Sequence, residues 1–224
     1  MFVKLGCLSA LLVVLATAAI TAAPAVALPS HDFKAGLEYW ENTYLITGES
    51  VGGTLTEFKF GSGGTMTCGV TKLEHTSTRE EEHSVTVEPL YEKCVLSGVA
   101  ATIDNPCAYR LYGQTDNSGH ARVEIVCSKT MLITVNGCTV SIEGVPETEQ
   151  GVHWEEVEGS KPKDIRAKVT SKGVAFNKVG LLCEMLVGGT GSDLSITGSY
   201  TLKAYKDEGG VEGSQIDFTT VETH

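Results

Sequence analysis

The sequence predicts an all-β fold, either an antiparallel β-sandwich or two small β modules, stapled by disulfides and preceded by a cleaved signal peptide. Three observations support this prediction. From Thr54 onward, apolar and polar residues alternate in short runs between turns rich in glycine, Asn and Asp. Patterns typical of helices are nearly absent. Cysteines recur at wide spacing through the body of the chain.

The N-terminal residues have the pattern of a secretory signal peptide. Lys4 precedes an uncharged apolar run over residues 8–20, and Ala25 and Ala27 form a small-x-small cleavage site. A membrane anchor needs about twenty apolar residues, and this run breaks near Pro24, so cleavage after Ala27 is favoured over an uncleaved anchor.

Cleavage at this position defines the predicted organisation. Residues 1–27 are the signal peptide, residues 28–53 form an extended segment, and residues 54–224 form a β-rich domain that is either single or divided near residue 160. The reason for a division is the stretch 143–163, which is acidic, poor in apolar residues and contains two prolines, and which therefore predicts a long loop or a linker.

Two hairpins are the clearest elements of the predicted β domain. Asn136-Gly137 is a preferred two-residue turn, and it predicts that Val135 pairs with Cys138 and Ile133 with Val140. The second hairpin has its turn at residues 116–119 and a register that places Cys107 opposite Cys127. Further strands are predicted over residues 54–60, 65–70, 84–87, 100–103, 164–170, 194–205 and 215–221.

The cysteines that remain after signal cleavage are even in number, which in an exported chain indicates three disulfides. Directly opposed side chains on neighbouring strands are about 4.5–5.5 Å apart at Cβ, so Cys107–Cys127 is the best supported pairing. For the remaining four cysteines the proposed pairings are Cys68–Cys94 and Cys138–Cys183, while the two other ways of pairing them stay open. Structural zinc is disfavoured because no two of these cysteines have the short spacing of zinc ligands.

Several of these scaffold residues resemble those of a group of exported, cysteine-containing, β-rich bacterial proteins whose function is uncharacterised. The resemblance covers most of the chain after Thr54 and implies a bacterial envelope or extracellular setting. It brings no catalytic or binding residue with it. The residues that carry it are 87–91 (VEPLY), Cys94, 100–103, Cys107, Cys127, Cys138, Gly198 and Tyr200.

Charge limits the classes of partner. The chain has 28 acidic and 17 basic residues, a formal net charge of −11, and no basic stripe is visible along the sequence. Nucleic acid and anionic membrane surfaces are therefore excluded as expected partners, because both require clustered Lys and Arg. No cofactor motif is present, and no second apolar span follows the signal, so no transmembrane anchor is expected after cleavage.

One motif deserves comparison with a catalytic site. Gly48-Glu49-Ser50-Val51-Gly52 matches the G-x-S-x-G nucleophile elbow of α/β-hydrolases, with Ser50 as the nucleophile. The elbow requires a strand-to-helix turn and an upstream loop for the oxyanion hole. Residues 53–56 continue as turn and strand, so a glycine-rich turn in a β protein is the favoured interpretation and no catalytic residue is assigned.

Two groups of residues are candidate binding sites. Glu74, His75, Glu82 and His83 would hold a divalent cation if the segment folds back as a hairpin, although a solvated loop is the simpler interpretation. His153, Trp154 and Glu155 would present an aromatic platform beside an acid. The simpler interpretation there is a strand or linker with one buried indole.

The predicted function is that of an exported, non-catalytic β protein, secreted or in the bacterial cell envelope, with a binding or structural role toward an envelope or extracellular macromolecule. The alternative is a secreted hydrolase of ester or glycan substrates. The first is favoured because a disulfide-stapled β scaffold is a common binding module and no catalytic constellation satisfies its structural context.

Overall fold

The computed structural model describes residues 30–35, 44–77, 84–114, 120–188, 191–207 and 212–223. Nearly all of the secondary structure in these ranges is β-strand. The strands are β1 (Ser30–Ala35), β2 (Tyr44–Ser50), β3 (Thr56–Phe60), β4 (Thr65–Ser77), β5 (Ser84–Leu96), β6 (Val99–Asp104), β7 (Cys107–Gln114), β8 (His120–Cys127), β9 (Met131–Val135), β10 (Cys138–Ile142), β11 (Val145–Glu156), β12 (Ile165–Val174), β13 (Phe176–Val179), β14 (Leu194–Asp207), β15 (Glu212–Ile216) and β16 (Phe218–Thr223).

Within these ranges the helical element is a single turn, α1 (Cys183–Leu186). No helix in the described part of the chain is long and apolar enough to cross a membrane.

Eight strands close into an antiparallel barrel in the order β2, β4, β5, β7, β8, β11, β12, β14, and β14 pairs back onto β2. The all-β prediction is confirmed, but the barrel replaces the sandwich or pair of modules that the sequence analysis expected. The difference arises because Tyr200 of β14 pairs with Ser50 of β2, 150 residues earlier. A period-two pattern identifies a strand and its buried face, and it does not identify a partner so distant in sequence.

β2 and β3 behave as one bent strand at the point of closure. Both lie between β4 and β14, and the bend falls at residues 51–55, where the Val51 amide donates to the Ser199 carbonyl at 3.0 Å. β2 belongs to the barrel although it lies within residues 28–53, which the sequence analysis assigned to an extended segment. β1 pairs with β16 in a separate two-stranded sheet.

A second set of strands continues the sheet at one end of the barrel. The end of β5 pairs with β6, and from there the order is β6, β9, β10, β13. The predicted Asn136-Gly137 hairpin is confirmed, with both residues at positive φ and Ile133 opposite Val140. Phe176 of β13 packs edge-on against Phe60 of β3 with ring centroids 5.1 Å apart, so the second set covers this end of the core.

The region expected to be a loop or linker is instead β11, which pairs with β8 on one side and β12 on the other. The loop prediction is wrong for Val145–Glu156, whereas residues 157–164 do form a loop between β11 and β12. β11 was missed because its register against β8 shifts twice between Val145 and Val152, and these irregularities interrupt the alternation that marks a strand. The β11–β12 hairpin spans residue 160, and the sheet continues through this region.

The disulfide pairings are the three that the sequence analysis proposed, Cys68–Cys94, Cys107–Cys127 and Cys138–Cys183. The first two join residues that are directly opposed in register, on β4–β5 and on β7–β8. The third joins β10 to α1. Three disulfides indicate an oxidising, extracellular-type environment. Each contributes about 2–4 kcal/mol to the free energy of unfolding, mainly by restricting the unfolded chain.

Buried hydroxyl groups occupy the core at the point of closure. The Thr56 hydroxyl lies 2.9 Å from that of Thr71 and 3.0 Å from that of Tyr200. A second pair joins the hydroxyls of Tyr91 and Tyr109 at 2.5 Å. Because a buried hydroxyl without a partner costs about 1–3 kcal/mol, these contacts require β3, β4 and β14 to meet in one register.

The buried phenol groups of these tyrosines make the free energy of unfolding depend on pH. Burial raises the pKa of Tyr109 to about 12 and raises the pKa values of Tyr91 and Tyr200 well above the usual value. Tyrosines in the unfolded chain lose their protons near pH ~10. Above that pH the unfolded state releases protons that the folded state keeps, so the free energy of unfolding falls as pH rises.

We expect these tyrosines to cause no change in the free energy of unfolding with pH below pH ~10. Above that pH, the free energy of unfolding falls by about 1.4 kcal/mol per pH unit for each buried tyrosine. Urea unfolding followed by circular dichroism between pH 8 and 11.5 measures this slope. Tyr109→Phe lowers the slope because it removes one of the buried phenols. A slope insensitive to Tyr109→Phe would contradict the assignment.

Candidate binding face

Four neighbouring barrel strands, β7, β8, β11 and β12, direct their polar side chains to the same part of the outer surface. Each strand alternates buried apolar residues with exposed or half-buried polar ones, as in β8, where Ala121, Val123 and Ile125 are buried. We call the outward set the basic face. It consists of Arg110, Tyr112, His120, Arg122, Glu124, His153, Glu155, Arg166 and Lys168.

The register brings these side chains into rows that cross the strands. His120 is opposite His153, and His153 is opposite Lys168 on its other side. The two imidazole rings are in contact, with centroids 4.8 Å apart. The next row pairs Glu155 with Arg166. Neighbouring charges in a row are therefore separated by about the spacing of strands in a sheet, 4.7–4.9 Å.

Glu155 is the acidic centre of one half of the basic face. Its carboxylate accepts a hydrogen bond from Lys168 Nζ at 2.5 Å and lies 3.7 Å from Arg166 Nη1 and 3.4 Å from His153 Nε2. The hydrogen bond from Lys168, followed by the charges of Lys168, His153 and Arg166, lowers the pKa of the Glu155 carboxyl. One carboxylate thus faces two permanent cations and an imidazole.

The other half has a similar arrangement around Glu124. Arg110 Nη1 donates to Glu124 Oε2 at 3.1 Å, and the Tyr112 hydroxyl donates to the same oxygen at 3.2 Å. The Arg122 guanidinium lies over the Tyr112 ring, 4.6 Å from its centroid, in a cation–π contact. Arg122 is thereby held flat on the surface beside His120.

The basic face is positive although the chain is acidic. Its four cations, Arg110, Arg122, Arg166 and Lys168, outnumber its two carboxylates, which gives a local charge of +2 on a chain of −11. The premise that the chain lacks a basic stripe therefore needs correction. These cations are spread over about sixty positions of sequence, and only the pairing of four strands gathers them.

Of the predicted platform, His153 and Glu155 belong to the basic face and Trp154 does not. Trp154 is 4% exposed, and its indole Nε1 donates to the Tyr112 carbonyl at 3.0 Å. The alternation of β11 turns it into the core, so the interpretation of a buried indole is correct and an exposed aromatic anchor is excluded. Sequence reasoning missed Arg110, Arg122, Arg166, Lys168 and His120, whose outward alternation was the available signal.

Two of the four residues of the predicted cation site lie outside the described residues. Glu82 and His83 lie there, while Glu74 and His75 are neighbours on β4, with Glu74 exposed. Among the described residues, no group of three or more His, Cys, Asp or Glu side chains is arranged to hold a metal ion.

The G-x-S-x-G motif does not form a nucleophile elbow. Gly48 and Ser50 lie in β2, and the chain then turns at Gly52-Gly53 into β3, with no helix following. The Ser50 hydroxyl donates to the Thr71 carbonyl at 3.4 Å. A Cβ at Gly48 would crowd the side chains of Leu202 and Leu73, so the glycine serves the packing of the bent closing strand.

A shallow depression of about 360 Å³ lies beside the Cys107–Cys127 disulfide. Its polar side chains are Glu88, Asn105 and Ser128, and the Asn105 amide is engaged by the protein. Asn105 Nδ2 donates to the Pro89 carbonyl at 2.7 Å and the Cys107 carbonyl at 3.2 Å, and Oδ1 accepts from the Cys107 amide at 3.3 Å. Asn105 thus fastens the β6–β7 connection and offers little to a ligand.

Comparison with protein-family models, with curated proteins and with solved structures finds no match to this chain. The candidate binding face therefore rests on the residues and geometry described above.

We expect neighbouring residues of β11 to respond oppositely to substitution. Trp154→Ala removes a buried indole and lowers the free energy of unfolding by about 3–5 kcal/mol. Glu155→Gln removes ion pairs that are about one-third exposed and changes it by less than about 1 kcal/mol. Urea unfolding measures both. Equal, small effects of the two substitutions would show that Trp154 is not a core residue.

Proposed function

We propose that this chain is an exported, non-catalytic binding protein of the bacterial envelope or extracellular space, and that the basic face binds an anionic glycan. Export is supported by the signal-peptide pattern, by the resemblance to exported bacterial proteins and by three disulfides that are stable under oxidising conditions. β1 begins at Ser30, just beyond the expected cleavage site.

The observation that carries the binding proposal is the concentration of cations on one face of an otherwise acidic protein. Arg122 and Arg166 present planar guanidinium groups, which suit sulfate, phosphate and carboxylate oxygens, and Lys168 adds a compact charge. All three project from paired strands of a closed barrel, so their spacing is fixed before binding. A ligand with regularly repeated anionic groups matches such rows better than a single small anion does.

A glycan is preferred to a nucleic acid because the basic face offers no open platform for bases. Single-stranded nucleic acids bind by stacking bases on exposed aromatic rings in addition to their phosphate contacts. The Tyr112 ring is already covered by Arg122, and Trp154 is buried. The geometry around Ser50 gives no support to the hydrolase alternative.

We expect the mature protein to bind dextran sulfate and not neutral dextran, with affinity that falls as salt rises because the contacts are exposed and screened. The triple variant Arg122→Gln, Arg166→Gln, Lys168→Gln weakens binding more than about tenfold, as expected for the loss of about 1.4 kcal/mol or more. Isothermal titration calorimetry at low and high salt measures both effects.

The matched control is Lys59→Gln, Lys72→Gln, Lys93→Gln, which makes the same change in net charge at exposed positions on β3, β4 and β5, outside the basic face. It is expected to keep the affinity within about threefold, a change well below 1 kcal/mol. Equal losses in the two triple variants would show that net charge, and not the basic face, governs binding. Equal affinity for a DNA oligonucleotide of matched charge would exclude the preference for glycans.

Export has its own test. Expressed with its N-terminal segment in a bacterium, the protein is expected outside the cytoplasm with Leu28 as its first residue and with no free thiol, since Cys7 leaves with the signal. N-terminal sequencing and thiol labelling check this. Ala27→Arg is expected to block cleavage because signal peptidases require a small residue there. Intact chain beginning at Met1 in the cytoplasm would contradict the proposal.

A further inference from the structure

A second surface, distant in sequence from the basic face, exposes apolar side chains. Val179 is 74% exposed, Leu181 99%, Leu182 41% and Met185 74%. A single exposed apolar residue is ordinary on a soluble protein, but four within seven residues form a patch of the kind that marks an interaction site. We call residues 179–185 the apolar tip.

The exposure of the apolar tip is imposed by the structure around it. Cys183 within the tip is bonded to Cys138, and just beyond it the Ser97 hydroxyl donates to the Leu186 carbonyl at 3.1 Å. Gly63 and Gly64 allow the turn between β3 and β4 to lie against the backbone that follows the tip. A Cβ at Gly63 would collide with the Val187 carbonyl, and a Cβ at Gly64 with the Leu186 carbonyl. A segment fixed in this way loses little conformational entropy on binding.

The sheet beside the apolar tip presents a face that is nearly free of charge. In the first row across β6, β9, β10 and β13, Thr102, Thr134, Thr139 and Val179 are opposed in register. The second row holds Asp104, Leu132, Ser141 and Asn177. The charged residue of this row, Asp104, lies on β6, which is the strand farthest from the apolar tip. We call these two rows the threonine face.

Charge at the border is also neutralised. Lys178 Nζ lies 3.0 Å from Glu184 Oε2 and donates to the Gly188 carbonyl at 2.9 Å. The apolar tip and the threonine face therefore form a neutral area on a chain of net charge −11. Two copies that meet at this area do not bring like charges together, whereas contact between their acidic surfaces would.

We propose that the apolar tip and the threonine face are the interface of a two-fold symmetric dimer of this chain. In a two-fold interface, the tip of one copy lies over the threonine face of the other, and the reverse contact follows by symmetry. Leu181 and Met185 then bury their side chains against Leu132 and Val179 of the second copy. An area without net charge meets its own copy without like-charge repulsion, which an area of one charge sign does not.

This proposal is independent of glycan binding, and salt separates the two. Raising the salt concentration screens the repulsion between two copies of charge −11, so it strengthens the dimer, while it weakens attachment of dextran sulfate to the basic face. Failure of either proposal leaves the other testable on the same preparation.

Sedimentation equilibrium of the mature, oxidised protein over about 1–200 µM tests the dimer, a range that spans the affinity of ordinary transient interfaces. We expect a dimer that tightens with salt. Leu181→Asp with Met185→Glu places two unpaired acids at each copy's interface and is expected to weaken association more than about a hundredfold. Its circular dichroism spectrum, and its thermal midpoint at concentrations where the wild type is monomeric, stay unchanged because both side chains are exposed.

The matched control is Leu55→Asp with Leu90→Glu, two exposed leucines outside the tip, at 49% and 54% exposure. It is expected to remain dimeric. A wild-type monomer at all concentrations overturns the proposal, as does equal dissociation of both double variants. A monomer that sediments with phosphatidylcholine vesicles, and loses this with Leu181→Asp and Met185→Glu, also overturns it and assigns the apolar tip to a lipid surface.

Discussion

The pairing of β14 with β2 and β3 is the interaction on which the barrel depends. Without it the chain is an open sheet with two exposed edges, and its interior side chains meet water. The Thr56 hydroxyl joins those of Thr71 and Tyr200, so one buried cluster fixes β3, β4 and β14 in a single register. Gly198 is part of this junction, because a Cβ there would collide with the Tyr200 hydroxyl. A one-residue slip would turn every side chain to the opposite face.

Closure also determines which residues are available to a ligand. In β11, Trp154 fills the core while His153 and Glu155 face outward, although the three are consecutive. The same alternation on three neighbouring strands assembles the basic face from cations that are far apart in the chain. The buried apolar interior and the patterned exterior are thus two results of one strand register.

Features that depend on neighbouring residues could be predicted from the sequence. The Asn136-Gly137 turn and the Cys107–Cys127 opposition are local, and both are present. β11 was missed because its register shifts hide the alternation, and closure was missed because Tyr200 and Ser50 are 150 residues apart. The basic face could not be predicted without knowing how β7, β8, β11 and β12 pair with one another. For the same reason, the sequence indicated His153 and Glu155, and the alternation of the cations showed that they face outward without showing that they lie beside these two residues.

The distance in sequence between the closing strands has a consequence for the order of folding. Contacts between remote segments carry a loop-closure cost before they contribute stability, so barrels that depend on them fold slowly. Because the paired residues Ser50 of β2 and Tyr200 of β14 are 150 residues apart, the barrel stays open until the chain between them has been synthesised. If the chain is exported as proposed, this delay keeps it unfolded and competent for translocation. β2 then pairs with β14 only in the compartment where the cysteines can oxidise.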